Sequence, residues 1–225
     1  MKRFIVASVV LAVVFMAGFQ AKADDPVVVY YSFNNTNLLN GTTAGTNAFL
    51  AADTGSSLST FTYKLGNSLP TGGLQIYAGI AVGNQPGFVA GNSVGGNAWM
   101  GTTNYFQFTL NASGFEDIVV SWAANRSATG PTNVLFQYST DGSTFTTYAT
   151  VAITASSNLG YTQDLTSVTA LDWNANDAFR IESTGAAAGG TLRIDNLTVG
   201  VPEPSTVFLV GCGLVGLLAM RRRRS

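Results

Sequence analysis

Apolar side chains in the middle of this chain recur at every second position, a spacing that admits strands and excludes helices. Phe106, Phe108 and Leu110 fall on one face of an extended segment. So do Ile118, Val120 and Trp122, then Val134, Phe136 and Tyr138, then Phe179 and Ile181, because successive side chains of a strand point to opposite sides. Further extended stretches run from Val27 to Phe33, Phe61 to Leu65, Leu74 to Val82, Thr144 to Ile153 and Thr191 to Val199. Asp141-Gly142 is the pair that a tight primed hairpin turn wants. The Gly-Gly pairs at Gly72 and Gly95 follow no phosphate-cradle spacing and read as turns. No long amphipathic helix is visible between Asp24 and Gly200. Many short strands in one segment mean a sandwich or a barrel, and a jelly-roll-like, all-β sandwich is predicted over residues 24–200.

The last predicted strand slips phase. Leu192 and Ile194 share a face, but the next apolar pair is Leu197 and Val199, three residues on. Either an extra residue is absorbed as a bulge at Asp195-Asn196, or the second pair faces the other way.

Both ends of the chain differ from the middle. Met1-Lys2-Arg3, the apolar run Phe4 to Phe19 and the small residues of Ala21-Lys22-Ala23 have the layout of a secretory signal peptide, residues 1–23, for a signal peptidase. An uncleaved N-terminal anchor is the other reading. At the far end, Val207 to Met220 is mostly apolar; as a helix it would span about 21 Å against roughly 30 Å of hydrocarbon. Arg221, Arg222, Arg223 and Arg224 hold the chain end in the cytoplasm. Pro202 and Pro204 keep the preceding segment extended and accessible. Cys212 lies inside the apolar run and cannot form an internal disulfide.

Pro202-Glu203-Pro204-Ser205, the apolar run and the terminal arginines together resemble the PEP-CTERM sorting signal of Gram-negative bacteria, over residues 201–225. The resemblance implies a short transmembrane helix and processing by an exosortase. It also implies a precursor tethered in the inner membrane, then release to the cell surface or extracellular matrix, and a setting of exopolysaccharide and biofilm production. A plain single-pass anchor with incidental prolines is the alternative.

Between Asp24 and Gly200 four basic residues stand against eleven acidic ones, a net of −7. Such a body repels phosphate backbones, so nucleic acid is not an expected partner. The chain has no histidine, which removes Ser-His-Asp and Cys-His arrangements and the commonest metal ligand. Paired carboxylates could cleave a glycosidic bond, but the body holds only Glu116 and Glu182 as glutamates, far apart in sequence. Glu116-Asp117 reads as a solvated turn. No catalytic residue is assigned.

FQYSTDGSTFTTY (136–148), DAFRI (177–181) and GGTLRIDNLTV (189–199) are similar to the closing half of secreted jelly-roll domains, carbohydrate-binding modules among them. Where such modules hold a structural calcium, an acid on the last strand contributes, and Asp195 takes that position here. The first-strand region offers Asn34, Asn35 and Asn37 but no carboxylate until Asp53, and calcium needs six to eight oxygens. The competing reading has Asp195 capping the bulge or its turn. No other cofactor is expected.

Sugar binding needs aromatic platforms and amides, for which Trp99, Trp122, Trp173 and Tyr105 are the candidates. Trp122 alternates with core positions. Trp99 sits in a Gly- and Asn-rich run read as a loop, beside Asn92, Asn97 and Asn104, where it either stacks on a sugar or plugs the sandwich end. Two functions compete: an exported, non-catalytic surface or matrix protein, and a dedicated carbohydrate-binding module contacting extracellular polysaccharide. A secreted glycoside-active enzyme trails both. Mass spectrometry of the mature protein should find an N-terminus at Asp24 and no Arg221–Arg224 cluster. An intact Met1 or an intact cluster contradicts the corresponding signal.

Overall fold

The alternating stretches become strands in the structure, a computed structural model that describes residues 27–34, 50–55, 59–65, 74–80, 91–99, 104–184 and 188–201. The predicted signal helix, the sorting residues Pro202, Glu203, Pro204 and Ser205, the C-terminal transmembrane helix and Arg221 to Arg224 lie outside the described residues. Among the described residues no helix is long and apolar enough to cross a membrane.

In chain order the strands are β1 (Val27–Tyr31), β2 (Leu50–Ala51), β3 (Thr54–Gly55), β4 (Thr60–Lys64), β5 (Gln75–Ala78), β6 (Asn92–Trp99) and β7 (Tyr105–Leu110). There follow β8 (Val119–Arg126), β9 (Asn133–Ser139), β10 (Thr146–Ala152), β11 (Leu159–Asp164), β12 (Asp177–Ser183) and β13 (Ala188–Gly200). They form two antiparallel sheets. One has six strands in the order β10-β9-β12-β7-β4-β2; in the other, β11-β8-β13-β1-β3 run side by side, with β6 on β13 and β5 on β6. From β7 onward the chain crosses between the sheets at every connection except the β9–β10 hairpin. A 3-10 turn, Thr169–Leu171, is the helical element among the described residues.

The core lies between the sheets. The predicted faces of β7, β8, β9 and β12 supply Phe106, Phe108, Leu110, Val120, Trp122, Val134, Phe136, Phe179 and Ile181, all buried. Trp122 of one sheet stacks on Phe136 of the other at 5.4 Å and 10°, and on Tyr161 at 5.8 Å. Phe136 continues to Phe179 at 6.3 Å, and Phe179 to Phe108 at 5.3 Å. This aromatic seam crosses the sandwich and adds ring-ring attraction to the area removed from water.

The bulge is present. In β13, Asp195 pairs with Ala123 and Thr198 with Ser121, so Asn196 and Leu197 together face Trp122. Asn196 takes a left-handed φ of 49°, a conformation that Asn tolerates better than most residues. The extra residue returns Leu197 and Val199 to the face of Leu192 and Ile194, and all four are buried.

Two local expectations differ. The run read as a loop around Trp99 is strand β6, and Gly95-Gly96 is not a turn. Its glycines serve close approach: a Cβ on Gly95 would meet the Leu192 carbonyl oxygen at 2.6 Å, and one on Gly96 would meet Leu65 Cδ1 at 2.6 Å. Asp141-Gly142 lies in a hairpin, but in the wider loop 140–145. Asp141 turns this loop with its side chain, accepting N–H bonds from Ser143 at 2.8 Å and Thr144 at 2.7 Å. Those bonds hold its carboxyl well below the usual range.

Trp122→Ala should lower stability by about 3–5 kcal/mol, as large-to-small aromatic changes in a core do. Thermal melts followed by circular dichroism should fall by on the order of 10 °C, and by less for Tyr161→Ala, whose ring is half-buried on edge strand β11.

Candidate functional site

Alternation turns a second set of side chains, polar for the most part, to the outer side of the six-stranded sheet. Register aligns them into rows. Thr62 pairs with Gln107, Gln107 with Arg180, Arg180 with Gln137, and Gln137 with Thr147. A polar row thus crosses β4, β7, β12, β9 and β10. The neighbouring row runs Lys64, Tyr105, Glu182 and Leu135.

Arg180 is the centre of this face. Its guanidinium lies 4.0 Å from the ring centroid of Tyr105 and 3.6 Å from that of Phe145. Its Nε and Nη2 donate to Gln107 Oε1 at 3.2 Å and 2.7 Å, and Nη1 stands 3.7 Å from Glu182 Oε2. Burial pulls its pKa down, while Tyr105 and Glu182 push it back up; a guanidinium stays charged throughout. Gln137 Nε2 donates to Thr147 Oγ1 at 3.2 Å, and its buried Oε1 has no hydrogen-bond partner. Amides, hydroxyls and clamped aromatic rings in one line suit a chain of hydroxyl-bearing rings. Lys64 and Arg180 against Glu182 leave these rows near neutrality, within an acidic body. The rows hold one carboxylate, so they provide no acid-base pair.

The predicted sugar contacts separate. Tyr105 is half-buried in this face, with one side of its ring covered by Arg180. Trp99 ends β6 in the opposite sheet, where it pairs with Ala188. Trp122 is core, and Trp173 is 61% exposed at the sandwich end. Gln107, Gln137, Phe145 and Arg180 escaped notice in the sequence, though outward alternation on β7, β9 and β12 was signal enough for three of them.

Asp195 is 1% exposed, on the outer side of the seven-stranded sheet. Its Oδ2 accepts the N–H of Ile80 and its Oδ1 that of Asn196, each at 2.7 Å. Asn196 completes the knot: Nδ2 donates to the Ile80 carbonyl at 3.1 Å, and Oδ1 accepts the Tyr30 hydroxyl at 2.7 Å. The chain at Ile80 is thereby fastened across the bulge. Asp195 has donors for both oxygens without a cation. No group of three or more His, Cys, Asp or Glu able to hold a metal occurs among the described residues. The bonds from Ile80 and Asn196 are those that a capping role requires.

A second buried acid was not foreseen. Asp177 opens β12, is fully buried, and neither of its oxygens has a hydrogen-bond partner. Burial and the nearby charge of Asp172 push its pKa up to about 7. Burial also pushes Asp195 up to about 6, against the N–H bonds of Ile80 and Asn196.

The PEP-CTERM protein-sorting motif matches residues 200–224, so the chain carries the mark of an exported protein handled by an exosortase at the membrane. No curated protein matches the chain. Among solved structures it is similar to the CBM22-1 xylan-binding domain of Paenibacillus barcinonensis Xyn10C, at 14% identity and a TM-score of 0.47, over 80% of this chain and 97% of that one. It is similar to the K1 cleaved adhesin domain of Lys-gingipain from Porphyromonas gingivalis W83, at 16% identity and 0.45, over 77% and 97%. It is also similar to the xylan-binding module CBM15, at 18% and 0.41, over 58% and 97%.

Asp177 and Asp195 both titrate above the ordinary Asp value of about 3.9, so the folded state binds more protons than the unfolded. The stability they contribute is complete below about pH 4 and lost as pH rises through 6 to 7. Melting temperature should therefore fall from pH 5 to pH 8, and Asp177→Asn should flatten much of that slope and raise the melt at pH 8.

Proposed function

We propose that this is a non-catalytic protein of the cell surface or extracellular matrix, linked to exopolysaccharide or biofilm, whose sandwich contacts glycan through the outer face of its six-stranded sheet. One observation carries the reading: the row Thr62, Gln107, Arg180, Gln137 and Thr147, with Arg180 clamped between Tyr105 and Phe145. A held side chain loses little entropy when a ligand arrives. The near-neutral rows favour an uncharged polysaccharide, since the acidic body repels anionic ones at longer range. The sorting motif supports delivery to the place where such polymers lie. In this reading exosortase and signal peptidase act on the two ends, the inner membrane holds the precursor only transiently, and the body does the lasting work.

A dedicated carbohydrate-binding module is the second reading, favoured by the pre-set geometry of Arg180. A structural calcium at Asp195 is a separate proposal; a chelator that lowers the wild-type melt but not that of Asp195→Ala would support it.

A glycan array with the full-length protein, xylan and other neutral polymers set beside acidic ones, tests the face. Saturable binding to neutral glycans, weakened about tenfold or more by Tyr105→Ala with Gln107→Ala, is expected. Tight binding to a single glycan would favour the dedicated module. Binding unmoved by that pair removes the face from the function, and release of reducing ends from any bound glycan contradicts the non-catalytic reading.

A further inference from the structure

At one end of the sandwich two loops carry aromatic rings into solvent. The segment 111–118, between β7 and β8, presents Phe115 at 38% exposure; the segment 172–176, leading into β12, presents Trp173 at 61%. Single exposed apolar residues are ordinary, but these two are held together. The Trp173 N–H donates to the Phe115 carbonyl at 2.8 Å, and the Ala112 N–H to the Asn174 carbonyl at 2.8 Å. The Asp117 N–H donates to Asp172 Oδ1 at 3.1 Å. Asp117 and Trp173 both adopt left-handed backbone, at φ 60° and 59°, a region that a bulky residue avoids unless its surroundings enforce it.

The charge here has one sign. Glu116 and Asp117 are exposed and Asp172 is half-buried. Asp177 lies fully buried, with both oxygens unpartnered, and feels the charge of Asp172. No Lys or Arg occurs in 105–125 or 164–179. A carboxyl group shut from water without donors favours any cation brought close.

We propose that this end binds a glycan bearing free amines, its ring stacked on Trp173 and Phe115 and its ammonium group met by Asp172, Asp117 and Glu116. Two rings offer too little area for a protein partner, which buries about 800 Å² on each side, whereas an indole matches one sugar ring and also attracts a cation to its face. Uronate polymers are repelled by the same carboxylates. The site is separate from the sheet face, since β7 carries Tyr105 at its other end.

Calorimetric titration of the full-length protein in detergent tests the proposal, using a glucosamine hexamer, its fully N-acetylated counterpart and an oligogalacturonate. The glucosamine hexamer should bind about tenfold tighter than the acetylated one or better, and weaken as salt is raised. Trp173→Gly should weaken it about tenfold or more, in a variant whose backbone accepts the left-handed conformation freely. Glu116→Gln with Asp117→Asn should do the same. Equal affinity for the two hexamers, no binding, or binding indifferent to Trp173→Gly overturns the proposal. So does slowed tail processing in Trp173→Gly cells with glycan binding intact, which would assign the patch to the processing enzyme. Amine binding without neutral-glycan binding would sink the sheet-face reading and leave this one standing.

Discussion

Strand β13 has to serve three neighbours, and it can do so only because it bulges at Asp195-Asn196. Its first half pairs with β6, its second half with β1, and β8 follows it along the other edge. A regular strand of this sequence would put Leu192 and Ile194 in the core and turn Leu197 and Val199 out of it. Asn196 absorbs the extra residue in a left-handed conformation, and the carboxylate of Asp195 gathers the N–H groups that the irregularity leaves exposed. The same knot holds the chain at Ile80 and the hydroxyl of Tyr30. Burial and the charges of Asp195 and Asp53 push that phenol upward in pKa, so Tyr30 acts as a firm donor to Asn196. One irregular residue thus fixes the core register, the strand order and the cover on the outer side of the sheet.

The register of the six-stranded sheet shifts only between Thr147 and Ala149 among the described residues. Regular pairing there has a consequence for chemistry. Because β4, β7, β12, β9 and β10 stay largely in register, their outward side chains meet as rows, and Arg180 falls between Gln107 and Gln137. The ion pair with Glu182 is long and half-buried, and such pairs contribute at most about 1 kcal/mol. The rings of Tyr105 and Phe145 and the oxygen of Gln107 hold the guanidinium more firmly, through geometry as well as charge. The face is preset by its neighbours and not by a loop.

Sequence alone exposed what depends on period two and on end composition. The all-β sandwich, the core face of Trp122, the solvated turn at Glu116-Asp117 and the bulge at Asp195 were legible from spacing, and the sorting motif from Pro202 to Arg224. Strand β6 was not, because its glycines look like turn residues when the reason for them is the Leu192 carbonyl and the Leu65 side chain, both distant in sequence. Edge strand β11 was missed since its exposed positions carry little apolar signal. The Asp141 loop was misread because a side-chain carboxylate can do the work of a primed turn. For the site, Tyr105 was legible as an aromatic, but its tie to Arg180 depends on a register that no local window contains. Trp173 was noticed as a tryptophan and not as an exposed one, since its left-handed backbone is enforced by Phe115 on another loop.

The two buried carboxyls show why similar burial has opposite meanings. Asp195 is enclosed by donors, so its burial closes a turn. Asp177 is enclosed without donors, so near neutrality, at a pKa of about 7, it is divided between a neutral acid that burial tolerates and an anion that burial penalises. A positive ligand on the loops of Asp172 and Trp173 favours the anion, and by reciprocity the anion favours the ligand. Rising pH supplies the anion, while falling pH keeps an amine protonated. In the amine-binding proposal, the coupling requires a pH at which both charges coexist. Below the Asp177 value that carboxyl is neutral and the exposed acids attract the ligand alone; above the amine's own pKa the ligand loses its charge and β12 carries a buried anion without a counterion. An exported protein meets whatever pH its surroundings impose, and Asp177 ties the integrity of β12 to that pH.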